Sequence, residues 1–230
     1  DQYERSRYEK GENSKLIVIN TPILNDGFDV EDEATYITIP VGIILVPGLM
    51  VTVCSVNNPM IEWFEQNLAR CLPTAENGRF VLKIFERNVF YFLHYLREIN
   101  KRISQVEKEL NYSSRNQELN RLLHLQKSLI YFVNDLRANE MVLMKIQRTD
   151  FLELSRAEDI GEVFQDILID YGQALEMANV YSNILGNMMS AFASIISNNL
   201  NHVVNRLTGV TILLMVPTLL GVLLMTFVVI

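Results

Sequence analysis

Four carboxylates recur at helical spacing in the second half of the sequence. Steps of three, four and four residues separate them, so a helix would carry on one face Asp159, Glu162, Asp166 and Asp170. Carboxylate oxygens bind hard divalent cations, and Mg²⁺ often keeps part of its water shell when it binds them. The spacing therefore allows two readings: a solvated stripe, or a divalent-cation site at a contact between subunits.

A second stripe is polar but uncharged. At steps of three or four residues it contains Ser190, Ser194, Ser197, Asn201, Val204, Thr208, Thr211, Met215 and Thr218. Where such a helix enters a membrane, its hydroxyl and amide groups can bond to neighbouring helices or line a narrow wet pore. Composition leaves both alternatives open. Uncharged oxygens suit a hydrated cation, because a weak attraction allows the ion to leave again.

Residues that serve catalysis are scarce. The three histidines, His94, His124 and His202, lie far apart on predicted helices, and the chain contains no HExxH, GxSxG, P-loop or GxGxxG motif. The two cysteines, Cys54 and Cys71, are typical of small buried apolar residues in a reducing compartment. We therefore expect neither an enzyme nor an organic cofactor.

The C-terminal end of the chain predicts a membrane segment. From Leu207 to Ile230 there are 24 residues without Asp, Glu, Lys, Arg or His. As a helix this run would span roughly 36 Å, enough to cross the hydrocarbon core of a bilayer. Arg206 and His202 precede it and favour a cytoplasmic location for that end. A net charge of −7 and 49% apolar residues argue against a nucleic-acid partner and against disorder.

The remaining patterns predict an α+β fold. Residues 15–56 indicate three neighbouring strands, the last two joined through Pro47-Gly48, and a short helix after Asn58. Apolar spacings of three and four predict a pair of long antiparallel helices with a break at 111–114. A third helix is expected to begin near Glu158 and to continue into the apolar run. The expected organisation is a partial α/β domain over 1–73, a helical hairpin over 74–157, a stalk helix over 158–206 and a membrane segment over 207–230.

Several segments, in the same order along nearly the whole chain, resemble the CorA-type magnesium and cobalt transporters. They are Glu4-Arg5-Ser6-Arg7, Ile39-Pro40-Val41-Gly42-Ile43, Tyr95-Leu96-Arg97-Glu98-Ile99-Asn100, Ala178-Asn179-Val180-Tyr181-Ser182-Asn183, Ser197-Asn198-Asn199-Leu200-Asn201, Arg206-Leu207-Thr208 and Met215-Val216-Pro217-Thr218-Leu219. The resemblance implies a homopentamer in the cytoplasmic membrane, multi-pass, with the large N-terminal part in the cytoplasm. Its ligand would be Mg²⁺, both transported and regulatory, with Co²⁺ and Ni²⁺ as further candidates.

The same resemblance assigns roles to residues of the polar stripe. Asn201 would form a polar ring that meets the hydrated ion at the cytoplasmic mouth, and Thr218 a hydroxyl ring farther out. The constricted part of the pore would be lined by Val204, Leu207, Thr211 and Met215, and Thr208 would be a further pore-lining residue. Acidic residues, including the Asp159–Asp170 stripe, would hold the regulatory Mg²⁺ between subunits. Ser190 stands where many relatives carry an acid, which argues against a regulatory site there.

One departure from the family pattern is clear. The signature Tyr-Gly-Met-Asn does not follow the first membrane helix, and the chain continues as Val222-Leu223-Leu224-Met225. We expect that 207–221 corresponds to the first membrane helix and 222–230 to part of the second, with a loop omitted at Gly221/Val222 and a segment missing before residue 1.

Two alternatives to magnesium transport stay open at this stage. Composition and periodicity are equally compatible with a tail-anchored coiled-coil scaffold that transports nothing. A zinc efflux role in the same superfamily is the other, because ion preference and direction are not legible from these residues.

Overall fold

A computed structural model describes residues 4–27, 34–71, 77–110, 116–154 and 159–229 of the chain. Within these ranges, four strands precede four helices: β1 Arg7–Lys10, β2 Lys15–Leu24, β3 Tyr36–Val46, β4 Leu49–Cys54, α1 Pro59–Cys71, α2 Asn77–Leu110, α3 Asn116–Arg148 and α4 Ile160–Val229. This is the predicted α+β architecture, with a small sheet followed by long helices.

The sheet is antiparallel with the order β1-β2-β3-β4. Strand β1 was not expected from the sequence, whose patterns predict only the other three strands. β1 is four residues long and three of them are charged, so it has no alternating apolar pattern. It is instead held by pairing with β2, where Arg7 lies opposite Val18 and Lys10 opposite Lys15.

The predicted hairpin between β3 and β4 is confirmed. Val46 pairs with Leu49, so Pro47 and Gly48 form a two-residue turn. Gly48 has φ 78°, a conformation that a side chain disfavours, and the proline before it supplies the φ of about −65° that this turn needs. The dipeptide thus sets the register of β4 against β3.

Helix α1 begins where the sequence predicts it. The Asn58 Oδ1 atom accepts a hydrogen bond of 3.1 Å from the Ile61 backbone N–H, and Pro59 occupies the first helical position, where no donor is needed. Phe64 is buried beside Phe80 of α2, with the two ring centres 5.2 Å apart. This contact packs α1 against α2.

Helices α2 and α3 pack against β2, β3 and each other. The periodic residues Leu96, Ile99, Ile103 and Val106 of α2 are buried, and so are Leu122, Leu129, Leu136 and Leu143 of α3. The predicted break at 111–114 lies outside the described residues. Helix α3 ends in a left-handed residue, Asp150 with φ 44°, and two backbone bonds close its last turn: Asp150 N–H to the Gln147 carbonyl and Phe151 N–H to the Ile146 carbonyl.

The chain divides into two compact units, Asp1–Leu185 and Gly186–Ile230, and α4 contributes to both. The helix passes Gly221 and Val222 without interruption and ends at Val229. The expected join at that dipeptide and the four-segment organisation stay predictions.

Candidate functional site

The C-terminal part of α4 has the composition of a membrane helix. Among the described residues, one helix segment, Ile160–Gly221, is long and apolar enough to cross a bilayer, with a window of mean hydropathy 1.7. Its last charged side chain is Arg206. The candidate site lies on this helix, from Gly186 onward, in the second compact unit.

The hydroxyl groups of the polar stripe are bonded to their own helix. The Thr208 Oγ1 atom donates to the Val204 carbonyl and the Thr211 Oγ1 atom to the Leu207 carbonyl, each at 2.8 Å. Thr218 donates to the Met215 carbonyl at 2.8 Å, and Ser190 and Ser194 donate one turn back at 2.9 and 3.0 Å. Because each hydroxyl proton is donated to a backbone carbonyl of the same helix, only the lone pairs of the hydroxyl oxygens remain available to groups outside the helix.

The stripe stays on one side of α4. At about 100° per residue, its positions from Ser190 to Thr218 fall within a sector of roughly 120°. Leu207 and Thr208 are neighbours in sequence and therefore point about 100° apart, so Thr208 lies near the middle of the stripe and Leu207 just beyond one border. In the single chain Val204, Leu207 and Met215 are 56%, 66% and 58% exposed. Their predicted role as pore-lining residues thus stays a prediction about an assembly.

Asp159 is engaged within its own chain. Its carboxylate lies directly before α4 and accepts two hydrogen bonds from the Arg79 guanidinium, at 2.7 and 2.9 Å. These bonds lower the pKa of the Asp159 carboxyl below its usual value. A divalent cation at Asp159 would therefore compete with Arg79 for these two oxygens.

The other three acids of the predicted stripe have different surroundings. Glu162 and Asp166 are exposed, whereas Asp170 is half-buried and within electrostatic range of Asp166 and of Glu86 on α2. No group of three or more His, Cys, Asp or Glu side chains in the described part of the chain is placed to hold a metal ion. The described residues of one chain therefore do not assemble the predicted regulatory site, and the site between subunits stays a prediction.

A buried hydrogen-bonded cluster, which the sequence analysis did not identify, joins α4 to the sheet. The Tyr171 hydroxyl of α4 donates to the Asn88 Oδ1 atom of α2 at 2.7 Å. Asn88 and Asn139 of α3 donate to the Asn20 carbonyl of β2 at 3.0 and 2.8 Å, and the Asn139 Oδ1 atom accepts from the Asn20 N–H at 3.0 Å. All four residues are buried, and together they bridge four elements of the fold. The cluster thus fixes the position of the α4 base along the domain.

Asp135 of α3 lies beside this cluster. It accepts a hydrogen bond of 2.6 Å from the Asn20 side-chain amide and another from the Thr38 hydroxyl of β3. Burial raises the pKa of this carboxyl, and the two hydrogen bonds oppose the rise. A signal for this contact was absent from the sequence, because Asp135 is more than 90 residues from both donors.

An α+β domain whose last helix continues into a charge-free run with a polar stripe is compatible with the class of membrane transport proteins. The chain belongs to the family described as CorA-like Mg²⁺ transporter protein, whose sequence model matches residues 1–224. This places it among divalent-cation transporters rather than enzymes and confirms the resemblance seen in the sequence.

Two comparisons involve the archaeon Methanocaldococcus jannaschii. Its cobalt/magnesium transport protein CorA is 27% identical over 229 residues, which cover 94% of this chain and 67% of that protein. The complete structure of a CorA magnesium transporter from the same organism matches with a TM-score of 0.78 at 25% identity, over 92% of this chain. The match spans 65% of the length of that solved chain.

A more distant structure shares the fold alone. The cytoplasmic domain of ZntB from Vibrio parahaemolyticus matches with a TM-score of 0.63 at 15% identity, over 87% of this chain. Family membership favours transport over the scaffold alternative, and the fold match gives no support to zinc efflux as the preferred function.

Proposed function

We propose that this chain forms the cytoplasmic domain and the pore helix of a homopentameric, channel-like transporter. The proposed cargo is Mg²⁺, with Co²⁺ and Ni²⁺ as further candidates, crossing the cytoplasmic membrane through a pore around which five copies of α4 stand. In the complete protein the N-terminal part lies in the cytoplasm and the membrane part is multi-pass.

The observation that carries this proposal is the outward acceptor row of α4. The hydroxyl groups of Thr208, Thr211 and Thr218 donate to backbone carbonyls three or four residues earlier in the same helix. Each hydroxyl oxygen therefore presents its lone pairs to the group that lies beside the stripe. A neighbouring helix would offer few donors to such a row, whereas the water shell of a cation offers many. Asn201, one turn or more before them, adds amide oxygens at the expected cytoplasmic mouth.

Intracellular Mg²⁺ is proposed to close the pore by bridging subunits. Glu162 and Asp166 are the exposed carboxylates that fit this role best, because Asp159 is bonded to Arg79 and Asp170 is half-buried. Mg²⁺ uses one or two carboxylates and retains water, so two subunits can each supply one ligand. Loss of the ion would release the bundle toward open arrangements.

Mg²⁺ flux into proteoliposomes tests the pore assignment. Asn201→Ala removes the amide proposed to line the cytoplasmic mouth and is expected to change the flux several-fold. Leu207→Ala is expected to raise the flux at Mg²⁺ concentrations that close the pore, because the smaller side chain widens an apolar constriction. Leu213→Ala is the matched control: it is the same substitution at a residue about 120° round the helix from Leu207 and about 160° from the centre of the stripe, and Leu213 is 74% exposed.

The comparison between the two leucines decides the outcome. Equal flux in Asn201→Ala, Leu207→Ala and the unaltered protein would refute the pore assignment. Equal effects of Leu207→Ala and Leu213→Ala would indicate that the helix faces were assigned wrongly.

A further inference from the structure

Helix α2 carries a basic face on the surface of the first compact unit. At steps of three, four, three and four residues this face contains Arg87, Phe90, His94, Arg97 and Lys101. At about 100° per residue these positions fall within a sector of roughly 80°. Arg87 is half-buried, the other four are exposed, and the exposed fraction of Phe90 is 46%. The whole chain has a net charge of −7, so the basic face is a local positive region on an acidic protein.

Arg87 is held against two aromatic rings. Its guanidinium carbon lies 3.6 Å from the centre of the Trp63 ring of α1 and 4.8 Å from the centre of the Phe90 ring. A cation over the face of a ring is attracted to it, and a planar guanidinium also stacks on the ring. The position of the Arg87 side chain is therefore restricted before any ligand binds, which lowers the entropic cost of binding.

The rings around Arg87 are themselves fixed by contacts between α1 and α2. The Tyr91 hydroxyl donates to the Pro59 carbonyl at 2.8 Å, and the Tyr91 ring packs edge to face against Phe90 with the ring centres 5.5 Å apart. Trp63 packs in the same manner against the buried Phe64, at 5.1 Å. This junction thus presents tryptophan, tyrosine and arginine, the residue types that are enriched in binding hot spots.

Two arginines of the basic face have N–H groups without an acceptor. Within the described ranges, no carboxylate, carbonyl or hydroxyl oxygen is bonded to Arg87 or Arg97. Glu62 of α1 accepts a hydrogen bond from the Asn57 amide instead, at 2.8 Å. Lys101 is bonded to Glu98 at 2.6 Å, but the lysine is 71% exposed, and such a surface ion pair is weak and readily exchanged.

We propose that the basic face of α2 binds an acidic segment of a partner protein. One carboxylate of the segment accepts two parallel hydrogen bonds from the Arg87 guanidinium, for which the planar fork is suited. A second carboxylate binds Arg97, about 15 Å further along α2, and an apolar side chain between them covers Phe90. In the partner the two carboxylates are thus about three helical turns apart.

Charge and ring placement favour an acidic protein segment over a nucleic acid or a lipid surface. The positive stretch from Arg87 to Lys101 is only about 21 Å long. Lys83, one turn before it, is neutralised by Glu86 at 2.7 Å, and the net negative charge of the chain repels a long polyanion. Base stacking needs a free aromatic face, whereas the Trp63 ring is covered by Arg87. A short segment with two carboxylates and one apolar anchor fits the basic face without these penalties.

Trp63 provides a direct measurement, because it is the only tryptophan in the 230 residues. The probe is a fluorescein-labelled peptide of about 16 residues, roughly the length of the basic face, that contains glutamates and one central phenylalanine but no tryptophan. Added to the full-length chain in a mild detergent, the probe is expected to shift Trp63 emission to shorter wavelengths, because it displaces water from the ring. The affinity should fall as salt concentration rises, and the same peptide with glutamine at every glutamate should have no effect.

Four variants separate binding at this face from a general charge effect, with anisotropy of the labelled peptide as the readout. Arg87→Gln should weaken binding about tenfold or more, and Arg87→Lys nearly as much, because lysine keeps the charge but lacks the planar fork. Arg97→Gln should weaken binding about threefold, and this exposed side chain has no contact whose loss would affect folding. Arg137→Gln, at an exposed position of α3, is the matched control with the same change in charge and should leave the affinity unchanged.

Three results would overturn the proposal: no shift of Trp63 emission with the acidic peptide, an equal response to the glutamine peptide, or equal affinities in Arg97→Gln and Arg137→Gln. Tighter binding of a single-stranded oligonucleotide, or of vesicles of phosphatidylglycerol and phosphatidylcholine, that is lost in Arg87→Gln would also overturn it and assign the face to nucleic acid or to a membrane. Circular dichroism of each variant shows whether its helices are intact. No ion flux is measured, so the outcome is independent of the pore assignment.

Discussion

The buried cluster around Asn88 makes a quantitative prediction. Tyr171→Phe removes only the hydroxyl, and the Asn88 Oδ1 atom keeps the Asn139 amide as a donor at 3.2 Å. No buried acceptor is orphaned, so the loss is one net hydrogen bond, about 1 kcal/mol. Asn88→Ala is worse: it removes the donor to the Asn20 carbonyl and leaves the Tyr171 hydroxyl buried without its acceptor. Together with the small cavity we expect a cost of about 3 kcal/mol.

The two substitutions are expected not to be additive. In the Asn88→Ala background, Tyr171→Phe removes a hydroxyl that has already lost its partner, so it should cost nothing or stabilise slightly. The coupling free energy between the two residues should therefore be about 1–2 kcal/mol. Tyr181→Phe, on the half-buried part of the same helix, is the control and should have no effect.

Thermal unfolding of the full-length chain in a mild detergent measures these differences. For a unit of this size, about 1 kcal/mol corresponds to roughly 2–4 °C in the unfolding temperature, so Tyr171→Phe should lower it by about 3 °C and Asn88→Ala by about 9 °C. If Tyr171→Phe lowers the temperature equally in both backgrounds, the two residues do not share a hydrogen bond and the cluster is assigned wrongly. An Asn88→Ala variant as stable as Tyr171→Phe would also contradict the orphaned-donor argument.

Two further predictions concern the first compact unit, Asp1–Leu185. Gly78→Ala should lower the unfolding temperature by a few degrees, since a Cβ there would lie 2.9 Å from the buried Leu154 side chain. Gly172→Ala has open space around the new Cβ and should raise the unfolding temperature by a similar amount. A higher unfolding temperature for both variants would contradict the packing argument. Because the pKa of Asp135 is raised, the folded state binds the proton of this carboxyl more tightly than the unfolded state does. The contribution of Asp135 to the free energy of unfolding is therefore present below the ordinary aspartate pKa of about 3.9 and is lost as pH rises through the raised pKa. Asp135→Asn should remove this pH-dependent loss of stability. Denaturant titrations between about pH 4 and 7 would then show a free energy of unfolding that changes less with pH, and an unchanged pH dependence would exclude Asp135 as the cause of the loss.

Features that depend on near neighbours in sequence were predictable. The helical hairpin followed from leucine and isoleucine spacings, because residues three and four apart share a helix face whatever surrounds them. The turn at Pro47-Gly48 and the cap at Asn58 followed from backbone restrictions of single residues. The polar stripe of α4 was visible for the same reason, since it lies on one unbroken helix.

Pairs that are distant in sequence were not predictable. The four acids from Asp159 to Asp170 have the same spacing pattern and charge, yet one is bonded to Arg79 and another is half-buried. β1 has no apolar alternation and exists because β2 offers it an edge. The roles of these residues depend on partners that no local pattern specifies.

The amino-acid order therefore decided which segments are helices, where the charge-free helix lies and which of its edges is polar, because each of these is a property of the backbone and of residues within one or two turns. Tertiary packing decided which carboxylates stay available and how Asn20, Asn88, Asn139 and Tyr171 tie α4 to the sheet. Those outcomes depend on burial and on hydrogen-bond partners brought together from more than 50 residues apart, and only the folded chain supplies them.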